Sequence, residues 1–155
     1  MIKIGDEAPA FSMVDSAGNT VNNDSLKGKR AVFFFYPKDL TPGWTKEVCA
    51  FRDINAKFGE KNTVIYGVSK DNTATHNKFI DQHELNFPLL TDTDGSACKA
   101  FGAWGEKSFM GKLLMGIFRY TYVIDADGKI EAIYEKVKPE EHAQEVFDNL
   151  KWFFV

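Results

Sequence analysis

The amino-acid sequence predicts a single α/β domain in which a central mixed β-sheet is flanked by helices and preceded by a β-hairpin. The chain of 155 residues is 44% hydrophobic and 26% charged, which is the composition of one globular domain. Short apolar runs alternate with segments in which apolar residues recur every three or four positions. No internal repeat, low-complexity tract or linker divides the sequence, so residues 1–155 are predicted to form one domain.

The first predicted elements are an N-terminal hairpin and a central strand. β-prone residues 11–14 and 20–21 flank the turn-rich segment 15–19, which predicts the N-terminal hairpin. Residues 31–36 form a continuous apolar and aromatic run, as in a strand that is covered on both faces. Pro37 is expected to end this strand because it has no N–H to donate to the ladder.

A helix is predicted to begin at Pro42, which the first helical turn tolerates, and to end near Gly59. Its apolar face is formed by residues spaced three or four apart, including Trp44, Val48, Phe51 and Phe58. The next predicted elements are a strand at 63–69, a helix at 72–84, a strand at 87–91 and a short helix at 96–101.

The last part of the chain predicts a second hairpin and a closing helix. Strands at 120–125 and 130–136 are joined by a turn that contains Asp127-Gly128, a pair suited to turns with positive φ. The closing helix begins after Pro139. This order of elements is that of a thioredoxin-like sandwich. It predicts a fold and leaves the function open.

Charge and hydropathy exclude several classes of function. The net charge is −3 and the isoelectric point about 5.6, with no basic block to match a phosphate backbone, so nucleic acid is not an expected partner. The longest apolar stretch, 31–36, is far short of the ~20 residues of a membrane-spanning helix. Residues 1–6 do not resemble an export signal, so we expect a cytoplasmic protein. In that reducing compartment Cys49 and Cys98 are expected to be free or catalytic.

The loop between the strand at 31–36 and the helix that follows is the most informative part of the sequence. In open α/β sheets, ligands bind at the edge where strands end and helices begin. The first turn of such a helix presents unpaired N–H groups and a positive dipole end, which favour an anion or a thiolate. Position 44 lies in that turn, and it is a tryptophan.

The motifs of the chain resemble those of peroxiredoxins of the bacterioferritin comigratory protein (PrxQ-like) branch. The active-site pattern of that family is Pro-x-x-x-Thr-x-x-Cys, and here Pro37 and Thr41 match it, while Trp44 stands at the position of the cysteine. Further matching segments are residues 5–9, residues 103–111 and the arginine of Phe118-Arg119-Tyr120. The resemblance extends over nearly the whole chain and departs from the family pattern at position 44.

The resemblance implies a role for each matching residue. Position 44 would carry the peroxidatic thiolate, and Cys49 matches the resolving cysteine of this branch. Arg119 would lower the pKa of the thiolate, while Thr41 and the backbone N–H of residue 44 would orient the peroxide. Pro37 would shield the site from water. The family further implies hydrogen peroxide and organic hydroperoxides as substrates, thioredoxin or a similar dithiol as reductant, and a monomer.

Indole cannot replace the thiol, because it has no ionisable group near neutral pH and cannot form a sulfenic acid. We therefore expect this chain to be inactive as a peroxidase. It is either a substituted form of an active enzyme or a non-enzymatic thioredoxin-fold protein, such as a holdase, with Trp44 as an exposed anchor. Slow one-cysteine chemistry at Cys49 is a third, weaker hypothesis. Neither a metal ion nor a cofactor is predicted.

Several residues have a plainer interpretation. Thr41 could simply cap the helix, which is compatible with a catalytic role. Cys98 is interpreted as a packing residue, although the sequence leaves a disulfide between Cys49 and Cys98 open. Three scattered histidines without a ligand-spaced partner are expected at the surface: His76, His83 and His142. Trp104 and Phe109 could belong to the core or line the mouth of the pocket, and we expect packing with partial exposure. Residues 151–155 are expected to dock on the body of the domain.

Overall fold

A computed structural model describes residues 2–39, 42–135 and 141–150, together with their side chains except those of residues 42–44 and 109. Nine strands and four α-helices lie in these ranges. The strands are β1 (Ser12–Asp15), β2 (Thr20–Asn22), β3 (Arg30–Phe35), β4 (Thr63–Ser69), β5 (Leu89–Thr91), β6 (Trp104–Phe109), β7 (Lys112–Ile117), β8 (Thr121–Ile124) and β9 (Ile130–Tyr134). The helices are α1 (Pro42–Glu60), α2 (Thr73–His83), α3 (Ser96–Phe101) and α4 (His142–Asp148), and one turn of 3₁₀-helix covers Asp24–Leu26.

Seven strands form one mixed sheet in the order β2-β1-β5-β4-β3-β8-β9. β3, β4 and β5 are parallel neighbours, and the connections between them contain α1 and α2. β8 and β9 extend the sheet antiparallel on the other side of β3. The predicted thioredoxin-like sandwich, with its central mixed sheet, flanking helices and N-terminal hairpin, is confirmed.

The sheet is covered on both faces, because all six residues of β3 are buried. The five apolar residues, 31–35, alternate between two hydrophobic cores, while Arg30 at the start of the strand is paired with Glu131. Phe33 and Phe35 face a core that contains Phe101 of α3. Phe34 faces the core beneath α1, where its ring stacks on that of Phe51 at 4.7 Å between centroids and 3° between planes.

Most predicted elements agree with the structure to within about two residues at each end, as helix and strand boundaries commonly do. The predicted strand at 130–136 is described as far as Tyr134, and residues 136–140 and 151–155 lie outside the described ranges. No secondary structure was predicted for residues 104–117, which form an antiparallel hairpin of β6 and β7. This hairpin was missed because β7 shows no alternation of apolar and polar residues: Leu113, Leu114 and Met115 are consecutive and all exposed. None of the described helices is long and apolar enough to cross a membrane.

Truncation of the stacked ring should measure how strongly the core beneath α1 stabilises the fold. We expect Phe34→Ala to lower the free energy of unfolding by about 3–5 kcal/mol, the usual cost of deleting a buried aromatic ring. The exposed Leu113 of β7 provides the control, and Leu113→Ala should change the free energy of unfolding by less than about 0.5 kcal/mol. Urea denaturation of both variants checks this, and equal losses would contradict the assignment of the core.

Candidate active site

The candidate active site lies where β3, β4 and β5 end. These strands are parallel, so the segments that follow them meet at one edge of the sheet. Pro37 to Asp39 follow β3, and Lys70 and Asp71 follow β4. The sequence predicts the candidate site at this edge, and the strand order shows that three parallel strands end there.

Position 44 lies in the first turn of α1, which begins at Pro42. The backbone N–H groups of this turn have no partner further back in the helix and are therefore available to an anion. Thr41 lies outside the described residues, and so does the side chain of Trp44, so their predicted roles stay predictions.

Glu47, one turn after position 44, is a site residue that the sequence analysis missed. Its side chain is almost fully buried, at 2% exposure, and its Oε2 atom has no hydrogen-bond partner in the described part of the chain. Burial raises the pKa of Glu47 to about 7, while the positive charge of Arg119 opposes the rise. Residues three apart share a helix face, so the signal in the sequence was a carboxylate on the same face as position 44.

Arg119 lies in the segment between β7 and β8 and is half-buried. Its charge acts on Glu47 and also on Lys107. The pKa of Lys107 is lowered mainly by burial and to a smaller extent by the positive charge of Arg119. The structure therefore brings Arg119 to the helix face that carries positions 44 and 47. This agrees with the predicted cation next to the peroxidatic position, a role that remains a prediction.

An open cavity of about 420 Å³ adjoins this region, and half-buried Pro37 forms part of its wall. Its apolar lining includes Trp104 of β6 and Leu114 and Met115 of β7. Trp104 is half-buried, as predicted, whereas the side chain of Phe109 lies outside the described residues. Three lysines also line the cavity: Lys38, Lys70 and Lys107. A cavity of this kind suits a molecule with an apolar body, and the three lysines add positive charge to the cavity lining.

The two cysteines are free and lie on opposite sides of the sheet. Cys49 of α1 is half-buried against the core beneath that helix, while Cys98 of α3 belongs to the other core. A disulfide between them, which the sequence left open, is excluded in this fold. Burial and the neighbouring Asp92 carboxylate raise the pKa of the Cys98 thiol far above its ordinary value, which supports a packing role for this residue.

Cys49 cannot reach position 44 while α1 is intact. In an α-helix, residues five apart have Cα atoms about 8.7 Å apart on different faces. A disulfide needs a separation below roughly 7 Å, so joining the two positions requires the first turns of α1 to unwind.

The prediction that the three histidines lie at the surface is wrong for two of them. His76 is fully buried and His142 is 1% exposed, whereas His83 is half-buried. His142 is held by a 2.7 Å contact between its Nε2 atom and the Thr121 hydroxyl. Spacing along the chain gave no sign of burial here, because both rings are accommodated by polar partners from distant elements.

His76 belongs to a buried polar cluster behind the loop that precedes α1. Its Nδ1 atom is 2.8 Å from Oδ2 of Asp39, and the Tyr36 hydroxyl donates to Oδ1 of Asp39 at 2.6 Å. Asp39, Asp71 and His76 also bring potential ligand atoms within 4.8 Å of one another, the spacing of a metal site. We interpret the group as a hydrogen-bonded cluster, because the backbone N–H of Asp39 and the Ser69 hydroxyl already donate to Oδ2 of Asp71.

Comparison with known proteins agrees with this geometry. Residues 4–133 match the family model described as the AhpC/TSA family. The chain is 42% identical to "Peroxiredoxin Bcp" of Escherichia coli over 97% of its own length and 96% of the relative. It is 43% identical to "Peroxiredoxin Bcp" of Bacillus subtilis over the same share of each chain.

Solved structures of PrxQ and of a bacterioferritin comigratory protein also superpose on this chain. A mutant of PrxQ from Xylella fastidiosa superposes with a TM-score of 0.89 at 30% identity, covering 96% of this chain and 94% of that chain. The bacterioferritin comigratory protein of Xanthomonas campestris, described for its alkyl peroxide reduction activity, superposes with a TM-score of 0.84 at 33% identity, covering 89% of this chain and 88% of that chain.

The raised pKa of Glu47 predicts how stability depends on pH. The folded state holds this proton more tightly than the unfolded state, so the contribution of Glu47 is fully favourable below pH 4.5 and declines up to about pH 7. Glu47→Gln removes the ionisable group and with it this loss of stability at higher pH. We expect the free energy of unfolding of the variant, relative to that of the parent chain, to rise by roughly 2–3 kcal/mol between pH 4.5 and pH 8, since one pKa unit corresponds to about 1.4 kcal/mol. Urea unfolding at both pH values measures it, and a constant difference would contradict the assignment.

The two cysteines should differ in reactivity. In the native protein at pH 8, we expect maleimide to label the half-buried Cys49 at least about tenfold faster than the buried Cys98, whose thiolate is disfavoured. Mass spectrometry of peptides after timed labelling measures both rates. In urea the two rates should become equal, and preferential labelling of Cys98 in the native protein would contradict the structure.

Proposed function

Since this chain belongs to the AhpC/TSA family and matches Bcp and PrxQ peroxiredoxins over nearly its whole length, we propose that it is a thiol-dependent peroxidase whose peroxidatic cysteine is replaced by Trp44. The family function is that of an oxidoreductase acting on peroxides. The observation that carries the proposal is the position of residue 44 in the first turn of α1, on the helix face that Arg119 approaches. As written, the chain lacks the nucleophile and is inactive.

With a thiolate at position 44, the reaction would proceed in two steps. The sulfur would attack one oxygen of the hydroperoxide; the S–O bond forms, the O–O bond breaks, and an alcohol or water leaves after taking a proton. The sulfur is thereby oxidised by two electrons to a sulfenic acid. The thiol of Cys49 would then displace the hydroxyl, so that an S–S bond forms and water leaves. A dithiol such as that of thioredoxin would reduce the disulfide by exchange.

The surrounding residues would support the first step. The N–H groups at the start of α1 and the charge of Arg119 favour both the thiolate and the negative charge that develops on oxygen. Thr41 would orient the peroxide through its hydroxyl, and Pro37 would limit the access of water. Glu47 adds a buried carboxyl group whose pKa responds to the positive charge of Arg119.

Organic hydroperoxides are the substrates that the cavity favours. Its wall offers Trp104, Leu114 and Met115 to an apolar chain next to Pro37. The alkyl peroxide activity described for the Xanthomonas campestris relative is consistent with this choice. We further propose a cytoplasmic monomer with thioredoxin as its reductant.

A binding function without catalysis is the second candidate, and one observation favours it. The β6–β7 hairpin exposes four large apolar side chains, which are Met110 at 87%, Leu113 at 70%, Leu114 at 54% and Met115 at 56%. Exposed apolar groups that lie close together are typical of surfaces that contact other molecules. On this hypothesis Trp44 would add to an interaction surface beside the hairpin.

Restoring the thiol tests the proposal. We expect Trp44→Cys to consume cumene hydroperoxide with electrons from thioredoxin and its reductase at least about 10³-fold faster than the parent chain, because only the restored chain has a nucleophile at the helix start. Trp44→Ser is the matched control, since it removes the indole without adding a thiol, and it should be as inactive as the parent.

The remaining outcomes separate the hypotheses. In Trp44→Cys with Cys49→Ser, we expect peroxide to oxidise one sulfur per chain without disulfide formation. An inert Trp44→Cys protein that is folded would favour the binding function. Equal activity in the parent chain and Trp44→Cys would show that Cys49 or Cys98 is the working thiol and that the proposed site is wrong.

A further inference from the structure

We propose that Asp39 and His76 are positioning residues that hold the loop before α1 against the sheet, and thereby keep position 44 in the first helical turn. Their effect on the helix start is independent of the proposed function, whereas their effect on peroxide reduction rests on it. The proposed effect is transmitted along the chain, because residue 39 lies in the six-residue connection, 36–41, between β3 and α1.

Asp39 is a carboxylate that the loop carries into the interior. Its side chain has no exposed surface, and burial of an unpaired charge would be strongly unfavourable. Both oxygens are therefore paired: Oδ1 accepts from the Tyr36 hydroxyl at 2.6 Å, and Oδ2 lies 2.8 Å from Nδ1 of His76. If the loop moved away, both contacts would break, and the carboxylate would be either unpaired in the interior or exposed to water.

The backbone of the same residue is tied to the next strand. The N–H of Asp39 donates to Oδ2 of Asp71 at 2.8 Å, and the Ser69 hydroxyl donates to the same oxygen at 2.8 Å. Ser69 ends β4, so residue 39 is fixed to the edge of the sheet by its main chain and to α2 by its side chain. Only two residues separate it from Pro42, where α1 begins.

His76 is itself held rigidly. Its Nε2 atom lies 3.2 Å from the carbonyl oxygen of Leu90 in β5, and its ring has no exposed surface. Both ring nitrogens thus face oxygen atoms of other elements, one on the loop and one on the sheet. Its helix is anchored at its start by Asn72, whose side chain accepts from the N–H of Thr75. A chain of contacts therefore runs from the loop through α2 to the central sheet.

This arrangement matters because the two steps of the proposed reaction need opposite states of the helix start. Attack on peroxide requires position 44 in the folded first turn, next to Arg119. Disulfide formation with Cys49 requires that turn to unwind, as the spacing in α1 shows. Contacts that stabilise the loop should therefore promote the first step and slow the second.

The first experiment uses the chain as it is. Hydrogen exchange of the backbone amides of residues 45–48, the first that donate within α1, would be compared in the parent and in Asp39→Asn and His76→Gln. We expect exchange in this segment to be at least about tenfold faster in both variants, as for the loss of a charge-assisted hydrogen bond. Tyr36→Phe removes one contact of the same carboxylate and should give a smaller increase.

The control is His142→Gln, which alters a second buried histidine whose ring nitrogens contact Thr121 and Glu145. We expect it to accelerate exchange in residues 45–48 no more than in β3 and β4. Uniform acceleration across the whole sheet in Asp39→Asn and His76→Gln, or no acceleration at residues 45–48, would overturn the proposal.

The second experiment separates positioning from a general loss of structure. In the Trp44→Cys background, we expect Asp39→Asn to lower the second-order rate of thiol oxidation by peroxide about tenfold and to raise the rate of the subsequent disulfide step. Stopped-flow fluorescence with excess peroxide resolves the two phases. A fall in both rates would overturn the positioning role. If Trp44→Cys itself does not react, the proposed function fails, while the exchange experiment still tests the effect on the helix start.

Discussion

Burial of β3 on both faces is the constraint on which the rest of the structure depends. Because six consecutive residues are removed from water, the strand must lie at the centre of the sheet, with helices or loops on each side. Its parallel pairing with β4 then brings the residues that follow both strands to one edge. The first turn of α1, the cavity and the Asp39–His76 pair are all consequences of that placement.

The edge combines two kinds of polar group that behave differently. Arg119 and the lysines around the cavity are in contact with solvent and can respond to a ligand. Asp39 and His76 are buried and can only keep the loop where it is, because moving either would expose or orphan a polar group. Glu47 shares a property with each kind: it is buried like Asp39 and His76, yet its pKa responds to the charge of Arg119.

Trp44 is at odds with these surroundings. A helix start beside an arginine has the electrostatic features that stabilise an anionic sulfur, and an indole uses neither of them. The contacts that position the loop remain in place in this chain. On the proposed function, these contacts support a position whose reacting group is replaced by an indole.

The sequence by itself determined the fold class, the order of most elements and the loop that carries position 44, because these depend on local apolar periodicity and on motifs that are contiguous in the chain. Only the tertiary structure decided which distant side chains meet. The burial of His76 depends on Asp39 and Leu90, and the pKa of Glu47 depends on desolvation and Arg119. The β6–β7 hairpin was missed for a related reason: its pairing is between strands, and its exposed apolar side chains do not show the alternation that marks a half-buried strand.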